Sequence, residues 1–109
     1  MSLALPEPVA RYLALESDDA ADALQTVFAG DAEVHDEGRT FRGLAAIRAW
    51  KAESQARYRY TVEPLEVVRQ QGDSLELKVR VTGDFPGSPV VLDYAIVLAD
   101  DRIARLEIH

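Results

Sequence analysis

Residues 28–50 read FAGDAEVHDEGRTFRGLAAIRAW and place a carboxylate, Asp36, at the end of a predicted strand over residues 32–36. A carboxylate partly removed from water is more basic than its ordinary pKa of about 3.9 implies, so Asp36 is a candidate general base. The run Asp36-Glu37-Gly38 is equally typical of a turn whose aspartate accepts hydrogen bonds from backbone N–H groups. Both interpretations of Asp36 stay open at this point.

Few other side chains could carry chemistry. His35 adjoins Asp36, but alternation along a strand points it to the opposite face, where a surface or interface role fits it. His109 is terminal, and the chain has no cysteine. Two separated histidines without a matching carboxylate cluster do not make a metal site. The chain contains no phosphate loop, nucleophile elbow or dinucleotide fingerprint, so we expect no cofactor.

Length and charge narrow the class of protein. At 109 residues the chain is the size of a single domain, and we expect one domain over residues 1–109. The net charge of −7 and the absence of a basic stripe argue against a nucleic-acid partner. No apolar run approaches the roughly 18 to 20 residues of a membrane span, and no signal peptide is apparent. We expect a cytoplasmic protein.

The residue pattern in the first half of the chain predicts helices that would position Asp36. Prolines and apolar spacing predict a first helix over residues 8–16. Ser17-Asp18-Asp19 predicts the cap of a second helix, with Phe28 on its apolar face and Gly30 at its end. Thr40-Phe41-Arg42 predicts a short pairing segment. Helical spacing of Leu44, Ile47 and Trp50 predicts a third helix over residues 44–57.

The second half changes to the two-residue period of strands. A long strand is predicted over residues 60–68, with Pro64 marking a bulge or an exposed edge. Residues 75–81 alternate apolar and polar side chains, which is typical of a half-buried strand. Residues 90–99 are nearly all apolar, so we expect both faces to be buried, one of them against a partner subunit. A last strand is predicted over residues 103–108. Helices early and antiparallel strands late predict an α+β domain.

The phrases FAGDAEVHDEG and GLAAIRAW, with this order of elements, resemble the nuclear transport factor 2-like superfamily, in particular its SnoaL-like and ketosteroid-isomerase-like branch. The likeness covers roughly residues 9–108. It implies a cystatin-like cone in which a curved antiparallel sheet packs on three helices around a hydrophobic pocket. It also implies a homodimer formed through the sheet. The superfamily includes isomerases, cyclases and non-enzymatic modules, so the fold alone does not name a reaction.

The resemblance to ketosteroid isomerase can be followed residue by residue. Ala10-Arg11-Tyr12 resembles the segment that carries that enzyme's oxyanion-hole tyrosine, which would make Tyr12 a hydrogen-bond donor. Tyr12 would otherwise be a core aromatic residue with a tethered hydroxyl. The spacing from Tyr12 places Asp36 on the proton-shuttling aspartate. The family pattern puts Ile96 where the second, protonated acid of the oxyanion hole should be, so half of that hole is missing here.

The candidate residues and the resemblance together lead to three functional hypotheses. The first is an isomerase or cyclase that moves a proton on a small hydrophobic carbonyl substrate, with Asp36 as base and Tyr12 as donor. The second is a non-catalytic module that binds a hydrophobic ligand, and the third is a dimerisation unit with a filled interior. The residues expected to contact a ligand in the first two cases are Trp50, Phe28, Phe41, Tyr94 and Ile96.

Overall fold

The computed structural model describes residues 5–16, 21–57 and 59–109, which form two α-helices, one short 3₁₀ helix and six strands. In chain order these are α1 (Glu7–Glu16), the 3₁₀ helix η1 (Ala21–Thr26), β1 (Phe28–Asp36), β2 (Arg39–Arg42), α2 (Leu44–Arg57), β3 (Tyr60–Gln71), β4 (Ser74–Gly83), β5 (Val90–Ala99) and β6 (Arg102–Ile108).

The six strands form a single sheet in the order β2-β1-β6-β5-β4-β3. The predicted α+β fold with a curved sheet is confirmed. The prediction of a purely antiparallel sheet is wrong at one pairing, because β1 and β6 run parallel. The first strand and its hairpin partner occupy one edge, and the last strand of the chain closes against β1 in the same direction. Ile103 N donates to Val27 O at 2.8 Å where this parallel pairing begins.

The predicted second α-helix is the main error in the helices. The described segment is a six-residue 3₁₀ helix that ends at Thr26, and both Phe28 and Gly30 belong to β1. Phe28 pairs with Ile103, so strand pairing replaces the helix before Gly30 is reached. The β1–β6 register shifts between Phe28 and Glu33, around the glycine. The predicted cap at residues 17–19 lies outside the described residues.

Pro64 behaves as its residue type predicts. Its strand, β3, ends the strand order of the sheet, so the proline lies on an edge strand, where a missing N–H is tolerated. The β3–β4 register also shifts between Pro64 and Glu66, which is the predicted bulge. The strand continues to Gln71, further than the apolar pattern indicated. The pairing of β3 with β4 therefore extends over the whole of β4, from Ser74 to Gly83.

The core lies between the helices and one face of the sheet. Leu75, Leu77 and Val79 of β4 are buried, while the alternate residues between them point to the other face. On β5, Tyr94 and Ile96 are buried. The outward residues Val91 and Val97 are 48% and 38% exposed, so this strand is not buried on both faces within one chain. The partner subunit expected to cover them stays a prediction.

None of the helices in the described ranges is long and apolar enough to cross a membrane.

Candidate functional site

A cavity of about 510 Å³ opens between α2, the β1–β2 hairpin and the central strands of the sheet. The apolar and aromatic part of its wall consists of Phe41, Trp50, Tyr60, Val81, Phe85, Pro86, Val90, Leu92, Tyr94 and Ile108. The polar part consists of Asp36, Glu37, Arg39, Glu53, Ser54 and Arg57. A mostly apolar wall with a few polar groups is typical of small-molecule sites, and the volume lies within the usual range of about 300 to 1,000 Å³.

The β1–β2 hairpin brings Asp36 to this cavity. Glu37 and Gly38 form the two-residue turn, and their φ angles of 53° and 75° are both positive, as tight hairpins require. Asp36 pairs with Arg39 across the turn. Because the turn geometry comes from Glu37 and Gly38, the Asp36 side chain can make contacts elsewhere.

Trp50 on α2 holds the Asp36 carboxylate. The indole Nε1 of Trp50 donates to Asp36 Oδ2 at 3.0 Å, in a partly buried position. Trp50 is only 6% exposed, so one oxygen of the carboxylate is fixed by a rigid donor. A carboxylate has two oxygens that can each accept hydrogen bonds, so Oδ1 retains capacity to interact with a bound molecule.

Aromatic packing supports this arrangement. The ring centroids of Phe41 and Trp50 are 6.1 Å apart, with the planes inclined by 36°. The guanidinium carbon of Arg39 lies 4.8 Å from the centroid of Phe41, a cation–π contact at the rim. Phe41 is placed by its pairing with Val34 on β1, which is itself in the core. The hairpin and α2 therefore form one packed wall around Asp36.

The predicted site residues divide into two groups. Asp36, Trp50, Phe41 and Tyr94 line the cavity. Tyr12, Phe28 and Ile96 are buried in the core and are not part of its lining. The rings of Tyr12 and Phe28 pack edge to face, with centroids 5.4 Å apart. The roles predicted for these residues in ligand binding or catalysis stay predictions.

His35 lies on the other face of β1, as strand alternation predicts. Its Nδ1 is 3.1 Å from Thr40 Oγ1, and its Nε2 is 3.5 Å from Glu33 Oε2. Arg42 Nε donates to Glu33 Oε1 at 2.8 Å. The hydrogen bond from Arg42 holds the pKa of Glu33 below its ordinary value, and His35 acts in the same direction. Glu33, His35, Thr40 and Arg42 all lie outside the cavity lining.

Lys51 and Tyr60 are functional candidates that the sequence pattern did not predict. Lys51 is only 1% exposed, and its Nζ donates to Tyr60 Oη at 2.9 Å. Nζ also lies 5.5 Å from the ring centroid of Tyr12, 5.7 Å from that of Trp50 and 5.3 Å from that of Tyr60. A sequence signal existed, because Lys51 follows Ile47 by four residues and so shares the buried face of α2.

Within the described parts of the chain, no three His, Asp or Glu side chains come together in a way that could hold a metal ion.

Comparison with known proteins adds a family and a set of related structures. A family model described as the SnoaL-like domain matches residues 9–106. A crystal structure of a candidate polyketide cyclase, protein SMa1630 from Sinorhizobium meliloti, is 43% identical, with a TM-score of 0.90 over 96% of this chain and 95% of that chain. No curated protein matches the chain.

Two more distant structures share the fold. A protein from Catenulispora acidiphila with a ketosteroid isomerase-like fold, in complex with trimethylamine, has a TM-score of 0.84 and 23% identity, covering 97% of this chain and 86% of that chain. A candidate SnoaL-like polyketide cyclase from Jannaschia sp. CCS1 has a TM-score of 0.77 and 18% identity, covering 100% of this chain and 90% of that chain. At these identities the likeness shows the fold alone.

Proposed function

This chain belongs to the SnoaL-like domain family, and we propose that it moves a proton on a small hydrophobic carbonyl compound bound in the cavity, with Asp36 as the base. One observation carries the proposal. The Asp36 carboxylate lies on the wall of a largely apolar cavity and is oriented by the indole of Trp50 at 3.0 Å.

The Trp50 hydrogen bond suits a general base. An indole N–H donates but does not accept, so it orients the carboxylate without exchanging a proton with it. The carboxylate oxygen that does not face the indole is the one that would reach an acidic C–H. Positioned proton transfer of this kind contributes typically 10²- to 10⁴-fold in rate.

The cavity supports a ring-sized substrate and a cyclase type of reaction. A volume of about 510 Å³ admits a compound of two or three fused rings. The 43% identical relative is described as a candidate polyketide cyclase. In such a reaction Asp36 would take a proton from a carbon next to a carbonyl, and the resulting enolate carbon would attack a second carbonyl carbon. The new C–C bond leaves an alkoxide, which takes a proton back.

An enolate needs a hydrogen-bond donor for its oxygen. Removing one such donor raises the activation free energy by roughly 2.7 to 4 kcal/mol in comparable sites. The sequence predicts Tyr12 for this role. Tyr12 is fully buried and does not line the cavity, so its role remains a prediction to be tested with Tyr12→Phe.

The test is deuterium exchange into 2-tetralone, a bicyclic ketone, followed by NMR in D₂O. We expect the wild-type protein to accelerate exchange at C1, the benzylic carbon next to the carbonyl, and Asp36→Asn to lose most of that acceleration. Asp93→Asn is the matched control, because Asp93 lies on the outer face of the sheet, paired with Lys78 at 2.9 Å. Equal exchange in the wild type and Asp36→Asn would exclude Asp36 as the base.

A non-catalytic hydrophobic ligand-binding module is the second candidate. It is favoured by Ile96, a buried apolar residue at the position where the resemblance calls for an acid. Trp50 is the single tryptophan of the chain and lies on the cavity wall, so its fluorescence reports binding directly. A fluorescence change with 2-tetralone, without any exchange above the buffer rate, would support this candidate over the enzyme.

A further inference from the structure

Among the described residues, Lys51 is a charged residue that is buried away from water. An isolated ammonium group in an apolar interior is strongly disfavoured, so buried lysines are retained where other groups compensate for the lost hydration. Here the aromatic rings of Tyr12 and Trp50 have their centroids 5.5 and 5.7 Å from Nζ, and the hydroxyl of Tyr60 accepts a hydrogen bond from it. Electron-rich ring faces attract a cation at this range. The fold thus places the positively charged ammonium group of Lys51 immediately behind the wall of the cavity.

The hydrogen bond from Lys51 to Tyr60 has a defined direction. An ammonium group has three donors and no acceptor, so Nζ donates and Tyr60 Oη accepts at 2.9 Å. The phenolic proton of Tyr60 must therefore point away from Lys51. Tyr60 lines the cavity and is only partly buried, whereas Lys51 does not line it. The tyrosine thus connects the buried charge to the space where a ligand would bind.

We propose that Tyr60, polarised by Lys51, is the donor that binds a developing oxyanion, of the enolate or phenolate type, in this cavity. The inference rests on the proposed function and deepens it by assigning the donor. A hydroxyl that accepts a bond from a cation becomes a stronger donor itself. Tyr60 would thus substitute for the acid that Ile96 replaces.

The helix explains how base and donor are held together. Trp50 and Lys51 are consecutive on α2, and side chains of consecutive helical residues point about 100° apart. Trp50 fixes Asp36 on the hairpin, while Lys51 fixes Tyr60 at the start of β3. One turn of helix therefore orients two groups that lie on different walls of the same cavity.

Other charges near Tyr60 act on the same site. The acids on the cavity wall are Asp36, Glu37 and Glu53, the bases there are Arg39 and Arg57, and Asp84 binds Arg59 N beside the first residue of β3. A test of the proposal must therefore keep these charges the same in all the variants that are compared, so that only the Lys51–Tyr60 pair differs between them. Lys51 and Lys78 are the two lysines of the chain, so Lys78→Met, on the outer sheet face, is a matched control for Lys51→Met.

The first experiment uses 4-nitrophenol, whose phenolate is coloured and whose neutral form is not. All variants carry Asp36→Asn, which removes the charge of the base and imitates its protonated state. We expect Tyr60→Phe to weaken phenolate binding roughly ten- to a hundredfold, as expected for the loss of a hydrogen bond to a charged group. Lys51→Met should weaken it by roughly three- to tenfold, and Lys78→Met should not. If Tyr12→Phe alone weakens binding, Tyr12 is the donor and the proposal is wrong.

The second experiment needs no ligand, so it decides the question even if 4-nitrophenol does not enter the cavity. The ultraviolet absorbance of tyrosinate is followed against pH. Because a positive neighbour favours the ionised form, one of the four tyrosines should ionise at lower pH than the others. Tyr60→Phe should remove that transition, and Lys51→Met should raise its midpoint while Lys78→Met leaves it in place. A transition that survives Tyr60→Phe, or no early transition at all, would overturn the proposal.

These outcomes separate the two proposals. Loss of deuterium exchange in Asp36→Asn tests the base and does not involve Tyr60. The phenolate measurement tests the donor in proteins without the base, because all variants carry Asp36→Asn. The tyrosinate measurement uses no substrate, so the base takes no part in it. If Asp36→Asn exchanges deuterium as fast as the wild type, but the phenolate and tyrosinate measurements give the expected results, the protein is an anion-binding module in which Lys51 polarises Tyr60.

Discussion

Gly83, at the end of β4, gives a sharp test of the packing that places Tyr60. A Cβ built on Gly83 would overlap the carbonyl oxygen of Arg59 and lie 2.8 Å from Tyr60 Cβ and 3.0 Å from Phe85 Cε2. Gly83 pairs directly with Tyr60 in the sheet, so the clash cannot be relieved by rotating a side chain. Overpacking costs typically 1 to 3 kcal/mol, and a backbone clash belongs in the upper part of that range.

We therefore expect Gly83→Ala to lower the free energy of unfolding by roughly 2 to 3 kcal/mol. For a domain of this size that corresponds to a fall in Tm of roughly 8 to 12 °C. Differential scanning calorimetry and urea unfolding measure both quantities. Because Tyr60 and Phe85 line the cavity, the affinity of the folded variant for 2-tetralone should also fall.

Gly30→Ala is the matched control. Gly30 is also a strand glycine, but a Cβ there would meet nothing within 4 Å. Its substitution should change the free energy of unfolding by less than about 1 kcal/mol. If Gly83→Ala were as stable as the wild type, the close approach of β4 to Arg59 and Tyr60 would be wrong, and Tyr60 would not be held in the position that the proposed donor needs.

Three further predictions concern other parts of the molecule. Arg42 holds the pKa of Glu33 below the ordinary 4.5, so Glu33 stabilises the fold above its unfolded pKa and loses that contribution as pH falls through the folded pKa. Urea unfolding at several pH values below about 4.5 should show a steeper loss of stability in the wild type than in Glu33→Gln, and parallel slopes would contradict this. Trp50→Phe removes the donor to Asp36 and should lower deuterium exchange roughly ten- to a hundredfold, whereas an unchanged rate would mean that the indole does not orient the base. If a homodimer forms through the outer sheet face, Val91→Asp should convert it to a monomer in sedimentation experiments, and a monomeric wild type would refute the dimer.

Much of the fold follows from patterns in the sequence. Residues 75–81 of β4 alternate strictly, so both the strand and its buried face could be predicted. The turn at Glu37-Gly38 follows from residue type, and it places Asp36 at the end of β1. The segment around Phe28 was wrongly predicted to be helical, because its apolar residues fit a helical face and a strand equally well. Pairing with Ile103, which is distant in sequence, decides in favour of the strand.

The site was only partly predictable. Asp36, Trp50 and Phe41 share the cavity because hairpin and helix are adjacent in sequence. Lys51 was not recognised because lysines are almost always solvent-exposed, and its burial depends on rings from α1 and β3 as well as its own helix. Such a cluster depends on tertiary packing, which no local pattern specifies.

The most direct test of the central claim is the stereochemistry of deuterium entry into 2-tetralone at low conversion. A single fixed base on one wall removes one of the two hydrogens at C1, the benzylic CH₂ group next to the carbonyl. Monodeuterated product, analysed by NMR in a chiral aligning medium, should therefore contain one enantiomer in excess with the wild type, and Asp36→Asn should give no excess. Racemic product from the wild type, or an excess that persists in Asp36→Asn, would contradict the assignment of Asp36 as the base.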